Sequence, residues 1–118
     1  MKIILNTNFL IDCIRFKIDL KAETMGNELF VLKPTLYEIE RIIERGTNES
    51  TLAKIALELI KKSKIKIIES EKEVDESLLS FSKKGYAIAT HDRALKSKLK
   101  EIGAKLIYVR QKKYLMID

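Results

Sequence analysis

The stretch Tyr86-Ala-Ile-Ala-Thr-His-Asp-Arg-Ala-Leu95 decides the fold. It predicts a short buried strand over residues 87–90, a polar break at His91 and Asp92, and a basic helix that begins near Arg93. The N-terminal stretch Lys2-Ile-Ile-Leu-Asn-Thr-Asn-Phe-Leu10 has the same order, with its polar break at Asn6 and Thr7. A carboxylate that follows a buried strand lies where open α/β sheets bind their ligands.

Apolar strands and helical patterns alternate along the whole chain. Strands are predicted over residues 2–5, 29–32, 65–68, 87–90 and 106–109. This alternation is typical of βαβ units, so we expect one α/β domain over residues 1–118, with three α/β/α layers and a central parallel sheet of about five strands. The apolar tail 114–117 is a candidate for a terminal strand or for the interface of a homodimer.

Positive charge is concentrated near the C-terminus. The 118-residue chain has a net charge of +6, and the segment 93–113 carries eight Lys or Arg residues against one acid. This concentration suits a polyanionic partner such as RNA, although a solvated lysine-rich surface would look the same. A single cysteine excludes an internal disulfide and a cysteine-based zinc site. No signal peptide or membrane-spanning run is evident, so we expect a cytoplasmic protein.

Polar and acidic residues follow four of the predicted strands. Because the carboxyl ends of parallel strands share one edge, we expect these side chains to meet there: Asn6, Thr7, Asn8, Glu38, Asp75, His91 and Asp92. Glu38 is preferred to Glu40 because it lies nearer the start of its helix. Clustered carboxylates repel one another and therefore require a divalent cation. Oxygen ligands favour Mg²⁺ or Mn²⁺ over zinc, and such an ion can activate water and stabilise charge on a phosphate.

Each of these residues also has a purely structural explanation. Glu38 has capping-box spacing from Thr35, Asp75 suits the amino end of a helix, and Asn6 and Asp92 suit N-cap positions. Their joint position at one edge favours a common site. A catalytic role for His91 is less favoured than a place in a loop. There is no glycine-rich phosphate loop and no Gly-x-Ser-x-Gly motif, which argues against nucleotide binding and serine hydrolysis.

Four segments resemble the PIN-domain nucleases in their order and spacing: Ile4-Leu-Asn-Thr-Asn-Phe-Leu10, Pro34-Thr-Leu-Tyr-Glu-Ile-Glu40, Val74-Asp-Glu-Ser-Leu78 and Ile88-Ala-Thr-His-Asp-Arg-Ala-Leu-Lys96. The segment Ile107-Tyr-Val-Arg-Gln-Lys-Lys-Tyr114 is similar to archaeal members that resemble small-subunit rRNA-processing PIN proteins, more than to VapC-like toxins. The resemblance implies a metal-dependent endoribonuclease that hydrolyses RNA with Mg²⁺ or Mn²⁺, with rRNA processing as its setting.

The resemblance also assigns roles to individual residues. The family's second, third and fourth acids fall on Glu38, Asp75 and Asp92, and its first falls on Asn6, where the family has Asp. These four positions would be catalytic and would bind the metal. RNA contacts would come from Thr7, Asn8, Thr90, Arg93 and Lys96.

The departure at Asn6 leaves several interpretations open. A carboxamide offers an oxygen but no charge, so it weakens metal binding. Asn6 is either an engineered change that inactivates a nuclease, or the mark of a natural member that serves as a non-cleaving RNA-binding or ribosome-assembly module. For the function itself, a toxin of a toxin–antitoxin pair, with an antitoxin partner, is a further alternative.

Overall fold

The computed structural model describes residues 1–118, and its six strands form one central sheet. They are β1 (Lys2–Leu5), β2 (Glu28–Leu32), β3 (Lys66–Ile68), β4 (Ala87–Ala89), β5 (Leu106–Arg110) and β6 (Tyr114–Ile117). Their order across the sheet is β3-β2-β1-β4-β5-β6. The first five pair in parallel, and β6 pairs with β5 in the antiparallel sense. The predicted parallel sheet is therefore confirmed, and the tail adds a sixth strand.

Six helices cover the sheet: α1 (Thr7–Arg15), α2 (Leu20–Glu23), α3 (Lys33–Arg45), α4 (Ser50–Lys62), α5 (Val74–Lys83) and α6 (Arg93–Glu101). Buried residues of α1, α3 and α4 join one apolar cluster, and those of α5 and α6 join a second. The two clusters lie on opposite faces of the sheet, which confirms the three-layer α/β/α arrangement. None of the six helices has the length and apolar character needed to cross a membrane.

Successive residues of the central strands point to the two faces in turn. Ile3 and Leu5 belong to the first cluster and Ile4 to the second, and all three are almost completely buried. A strand covered on both faces appears as a continuous apolar run rather than an alternating one. Asn6 and Thr90 come directly after the buried residues of β1 and β4, at the carboxyl edge of the sheet.

A short hairpin turn brings β6 back along β5. The Lys113 N–H donates to the Arg110 carbonyl at 3.1 Å. Between them, Gln111 and Lys112 both have positive φ, +54° and +57°, as in the mirror-image turns that suit the twist of antiparallel strands. The turn keeps β6 at the edge of the sheet, next to the strand whose carboxyl end lies beside the polar break at His91.

Candidate active site

A cavity of about 410 Å³ opens at the carboxyl edge of the sheet. It contains all four of the positions for which the sequence predicts metal binding, each supplied by a different segment. Asn6 follows β1, Glu38 lies on α3, Asp75 lies in the first turn of α5, and Asp92 precedes α6. The cavity is lined by Asn6, Thr7, Asn8, Ile11, Asp12, Arg15, Glu38, Ile42, Glu49, Val74, Asp75 and Asp92.

Asn6 is buried, and both ends of its carboxamide are held. Its Oδ1 accepts from the Thr7 N–H at 3.0 Å, as the N-cap of α1, and its Nδ2 donates to Thr90 Oγ1 at 3.0 Å. The Asn6 N–H also donates to the Ala89 carbonyl at 2.9 Å. A carbonyl oxygen has two lone pairs, so Oδ1 retains one for a ligand in the cavity.

Asp92 is the N-cap of α6, as one interpretation of the sequence predicts. Its Oδ1 accepts from the Leu95 N–H at 3.0 Å, and its own N–H donates to Thr90 Oγ1 at 3.1 Å. The first bond holds the carboxylate and the second holds the main chain, while Oδ2 has no partner within the chain. The capping role and a ligand-binding role are therefore compatible, because each uses a different oxygen.

The side chains of Glu38 and Asp75 form no ion pair and no hydrogen bond within the chain. Both are half-buried in the cavity wall. The capping box predicted for Thr35 and Glu38 is wrong, because α3 begins at Lys33 and Thr35 lies inside the helix. Asp75 does lie in the first turn of α5, where the helix dipole favours an acid.

The donors in the cavity fit a hydrated divalent cation. No group of three or more His, Cys, Asp or Glu side chains is arranged to hold a metal ion by itself. However, Mg²⁺ keeps several of its waters and is usually bound by one or two carboxylates. The hydroxyl of Thr7 is buried and has no hydrogen-bond partner within the chain. Carboxylate and carboxamide oxygens are hard donors, which suit Mg²⁺ or Mn²⁺ rather than zinc.

The residues predicted to contact RNA divide into three groups. Thr7 and Asn8 line the cavity. Thr90 is buried behind it, where its hydroxyl accepts from Asn6 and from the Asp92 N–H. Arg93 and Lys96 lie on α6 outside the cavity, Arg93 exposed and the Lys96 ammonium 4.9 Å from the centre of the Tyr108 ring.

Comparison with known proteins agrees with this fold. Residues 3–112 match a family model described as a PIN-like domain. The chain belongs to the PIN-like domain family. Ribonuclease VapC4 of Methanocaldococcus jannaschii is 34% identical over 126 residues, which cover 98% of this chain and 95% of that relative.

Solved structures share this PIN-like fold. The PIN domain endonuclease Utp24 matches with a TM-score of 0.81 and 21% identity, over 99% of this chain and 90% of that one. A domain of a functionally unknown protein from Methanocaldococcus jannaschii DSM 2661 matches with a TM-score of 0.66 and 15% identity, over 92% and 91% of the two chains. The resemblance to PIN domains and the predicted fold class are both confirmed.

Three charged residues of this PIN-like domain reach the cavity although they were not among the residues predicted from the sequence. They are Asp12, Arg15 and Glu49. Arg15 is the only basic residue in the cavity wall, and its guanidinium donates to the carboxylates of Asp12 and Glu49. The spacing of Asn8, Asp12 and Arg15 is helical, so one face of α1 follows the cavity from its first turn to its last. That periodicity was the available signal.

Proposed function

We propose that this PIN-like domain is an endoribonuclease that hydrolyses RNA phosphodiester bonds with Mg²⁺ or Mn²⁺. The observation that carries the proposal is the cavity that Asn6, Glu38, Asp75 and Asp92 all line. Membership of the family and 34% identity to a ribonuclease support nuclease chemistry. In the reaction, water adds to phosphorus and one P–O bond breaks, which leaves a phosphate on one product and a hydroxyl on the other.

The four positions would hold the cation, which when bound supplies activation of water and neutralisation of phosphate charge. Asp92 would contribute Oδ2, because Oδ1 already accepts from the Leu95 N–H. Glu38 and Asp75 have both carboxylate oxygens free to accept hydrogen bonds. These residues would therefore act through oxygens that the fold does not use.

The RNA strand would be guided by basic side chains outside the cavity. Arg93 is exposed in the first turn of α6, directly after Asp92. Lys96 lies one turn further along the same helix. Basic residues next to an acidic cavity attract the phosphate backbone of RNA without entering the cavity themselves. We propose rRNA as the substrate class from the resemblance of the segment 107–114.

Asn6 supports a second candidate, a non-cleaving RNA-binding or ribosome-assembly module. Its carboxamide brings no charge, and its two polar atoms are engaged with Thr7 and Thr90. This candidate predicts RNA binding that weakens steeply with salt and needs no divalent cation. A third, enzymatic candidate is a toxin regulated by an antitoxin, supported by the name of the VapC4 relative. A small partner that co-purifies with the chain would favour it, and a homodimer is compatible with all three.

The experiment compares the chain with its Asn6→Asp variant on structured and single-stranded RNA in Mn²⁺. We expect the variant to cleave faster, and Asp92→Asn introduced into it to abolish cleavage. Glu44→Gln is the matched control, because Glu44 is exposed on α3 outside the cavity. Absence of Mn²⁺-dependent cleavage in the Asn6→Asp variant would refute the enzymatic proposal. Salt-dependent RNA binding that persists in EDTA would then identify the binding module.

A further inference from the structure

The turn formed by Thr90, His91 and Asp92 is held on both sides. On one side the His91 N–H donates to Asn8 Oδ1 at 3.2 Å, and His91 Nδ1 lies 2.6 Å from Asp12 Oδ2. On the other side the Val109 N–H donates to His91 Nε2 at 3.0 Å. The imidazole therefore links α1 to β5 across the end of β4.

These two contacts assign the protons of the imidazole. Because the Val109 N–H is a donor, Nε2 must be the acceptor and carry no proton. Nδ1 must then carry the proton and donate it to the Asp12 carboxylate. The ring of Phe9, 5.3 Å away between centres, packs against the imidazole. Asp12 is itself held by a hydrogen bond from Arg15, so the acceptor of the His91 proton is fixed as well.

The imidazole supplies a hydrogen-bond acceptor to β5 where the main chain of β4 no longer does. β4 pairs with β5 as far as Ala89, and the Thr90 N–H still donates to the Ile107 carbonyl at 3.3 Å. Beyond this point Val109 receives no carbonyl from β4, and His91 Nε2 satisfies its N–H instead. The chain can therefore leave the sheet after Thr90 without burying an unpaired donor, and this departure brings Asp92 to the cavity.

We propose that Asp12 is a positioning residue that acts through His91. By holding the imidazole with its proton on Nδ1, Asp12 keeps Nε2 on Val109 and fixes the turn from which Asp92 reaches the cavity. Where the proposal concerns cation binding by Asp92, it rests on the proposed function. Groups that orient the ligands of a metal typically change metal affinity by about 10–100-fold when they are removed.

The first test is nitrogen NMR of the imidazole. His91 is the only histidine in the chain, so its ring signals need no assignment among several residues. We expect the unaltered chain to show a protonated Nδ1 and an unprotonated Nε2. Asp12→Ala should show a mixture of imidazole tautomers and faster hydrogen exchange of the Val109 amide. Asp12→Asn keeps an acceptor oxygen, so it should retain the single tautomer and the slow exchange. A spectrum that is unchanged in Asp12→Ala would overturn the proposal.

The second test measures Mn²⁺ binding to the same proteins by electron paramagnetic resonance. We expect Asp12→Ala to bind Mn²⁺ about tenfold more weakly, and Asp12→Asn and the surface control Glu44→Gln to bind like the parent. If Asp12→Asn is as weak as Asp12→Ala, Asp12 acts through its charge and not by positioning. If neither the parent nor its Asn6→Asp variant shows saturable Mn²⁺ binding, the proposed function fails, and the spectrum alone decides whether Asp12 holds the imidazole.

Discussion

Restoring a carboxylate at position 6 is the most direct perturbation of the cavity. Without a cation, Asn6→Asp adds a carboxylate to the cavity that Glu38, Asp75 and Asp92 line, in a position that is only 8% exposed. The hydrogen bonds change little. The Thr7 N–H still has an acceptor, and the Thr90 hydroxyl can turn from Asn8, at 3.5 Å, and donate to the new carboxylate. The cost is therefore mainly electrostatic.

We expect that cost to lower the free energy of unfolding by about 2 kcal/mol in EDTA, the scale for a poorly compensated buried polar group. A bound cation should reverse the effect. Mn²⁺ at 100 times its dissociation constant adds about 2.7 kcal/mol to the folded state. The variant should thus be less stable than the parent in EDTA and gain more from Mn²⁺ than the parent does.

Urea denaturation with EDTA or Mn²⁺, read by circular dichroism, measures both effects. Asn27→Asp is the matched control. Asn27 lies in the loop before β2, away from the cavity, and donates to the carbonyls of Thr24 and Met25. That variant loses an amide donor in the same way but should gain no more from Mn²⁺ than the parent does. If Asn6→Asp gains no more from Mn²⁺ than Asn27→Asp does, position 6 does not contact a cation and the assignment of the site is refuted.

Three further perturbations test the RNA surface, the buried thiol and the core. Arg93→Ala should lower the slope of log affinity against log salt by about 0.7 for single-stranded RNA, while exposed Lys61→Ala on α4 should not; equal slopes in binding titrations would contradict a phosphate contact. Burial, with a smaller contribution from the charge of the preceding carboxylate, raises the pKa of Cys13 from 9.0 to about 12, so its thiolate is about a thousandfold scarcer at pH 8 than in the unfolded chain. Thiol labelling should therefore follow unfolding, and because the folded pKa is the higher one, stability should fall as the pH rises from 9 towards 12; rapid labelling of the folded chain would be inconsistent with this. Ile39→Ala, at a fully buried position, should cost about 2–5 kcal/mol in urea denaturation, and Ile55→Ala, at a 45% exposed position, about 0.5 kcal/mol; similar losses would argue against the assigned core.

The parallel part of the sheet could be predicted because its strands are buried on both faces and therefore appear as short apolar runs. The sixth strand could not be settled. Its turn uses Gln111 and Lys112 at positive φ, where Asn and Gly are the usual signals. Without that signal, the apolar tail is equally compatible with a strand and with an interface. The four-residue helix α2 gave no periodicity for a similar reason, since it spans about one turn.

The cavity could be predicted in part. The choice of Glu38 over Glu40 agrees with the structure, in which Glu38 lines the cavity and Glu40 is exposed on the same helix. The roles of these residues remain predictions. Asp12 was not predicted, because an acid on the polar side of an amphipathic helix usually faces solvent. Its pairing with His91 joins residues 79 positions apart, and no local pattern encodes such a contact.

Whether Asn6 marks a disabled or a specialised site depends on chemistry rather than on folding. The donor that Asn6 supplies to Thr90 can be replaced by one rotation of the Thr90 hydroxyl, so the backbone at this edge accepts either a carboxamide or a carboxylate. Nothing in the hydrogen bonding of the pocket therefore requires a carboxamide. What differs is charge: the four predicted metal-binding positions carry three carboxylates in this chain and would carry four in the Asn6→Asp variant. The number of negative oxygens available to a cation, rather than the shape of the cavity, should separate a site that cleaves RNA from one that only binds it.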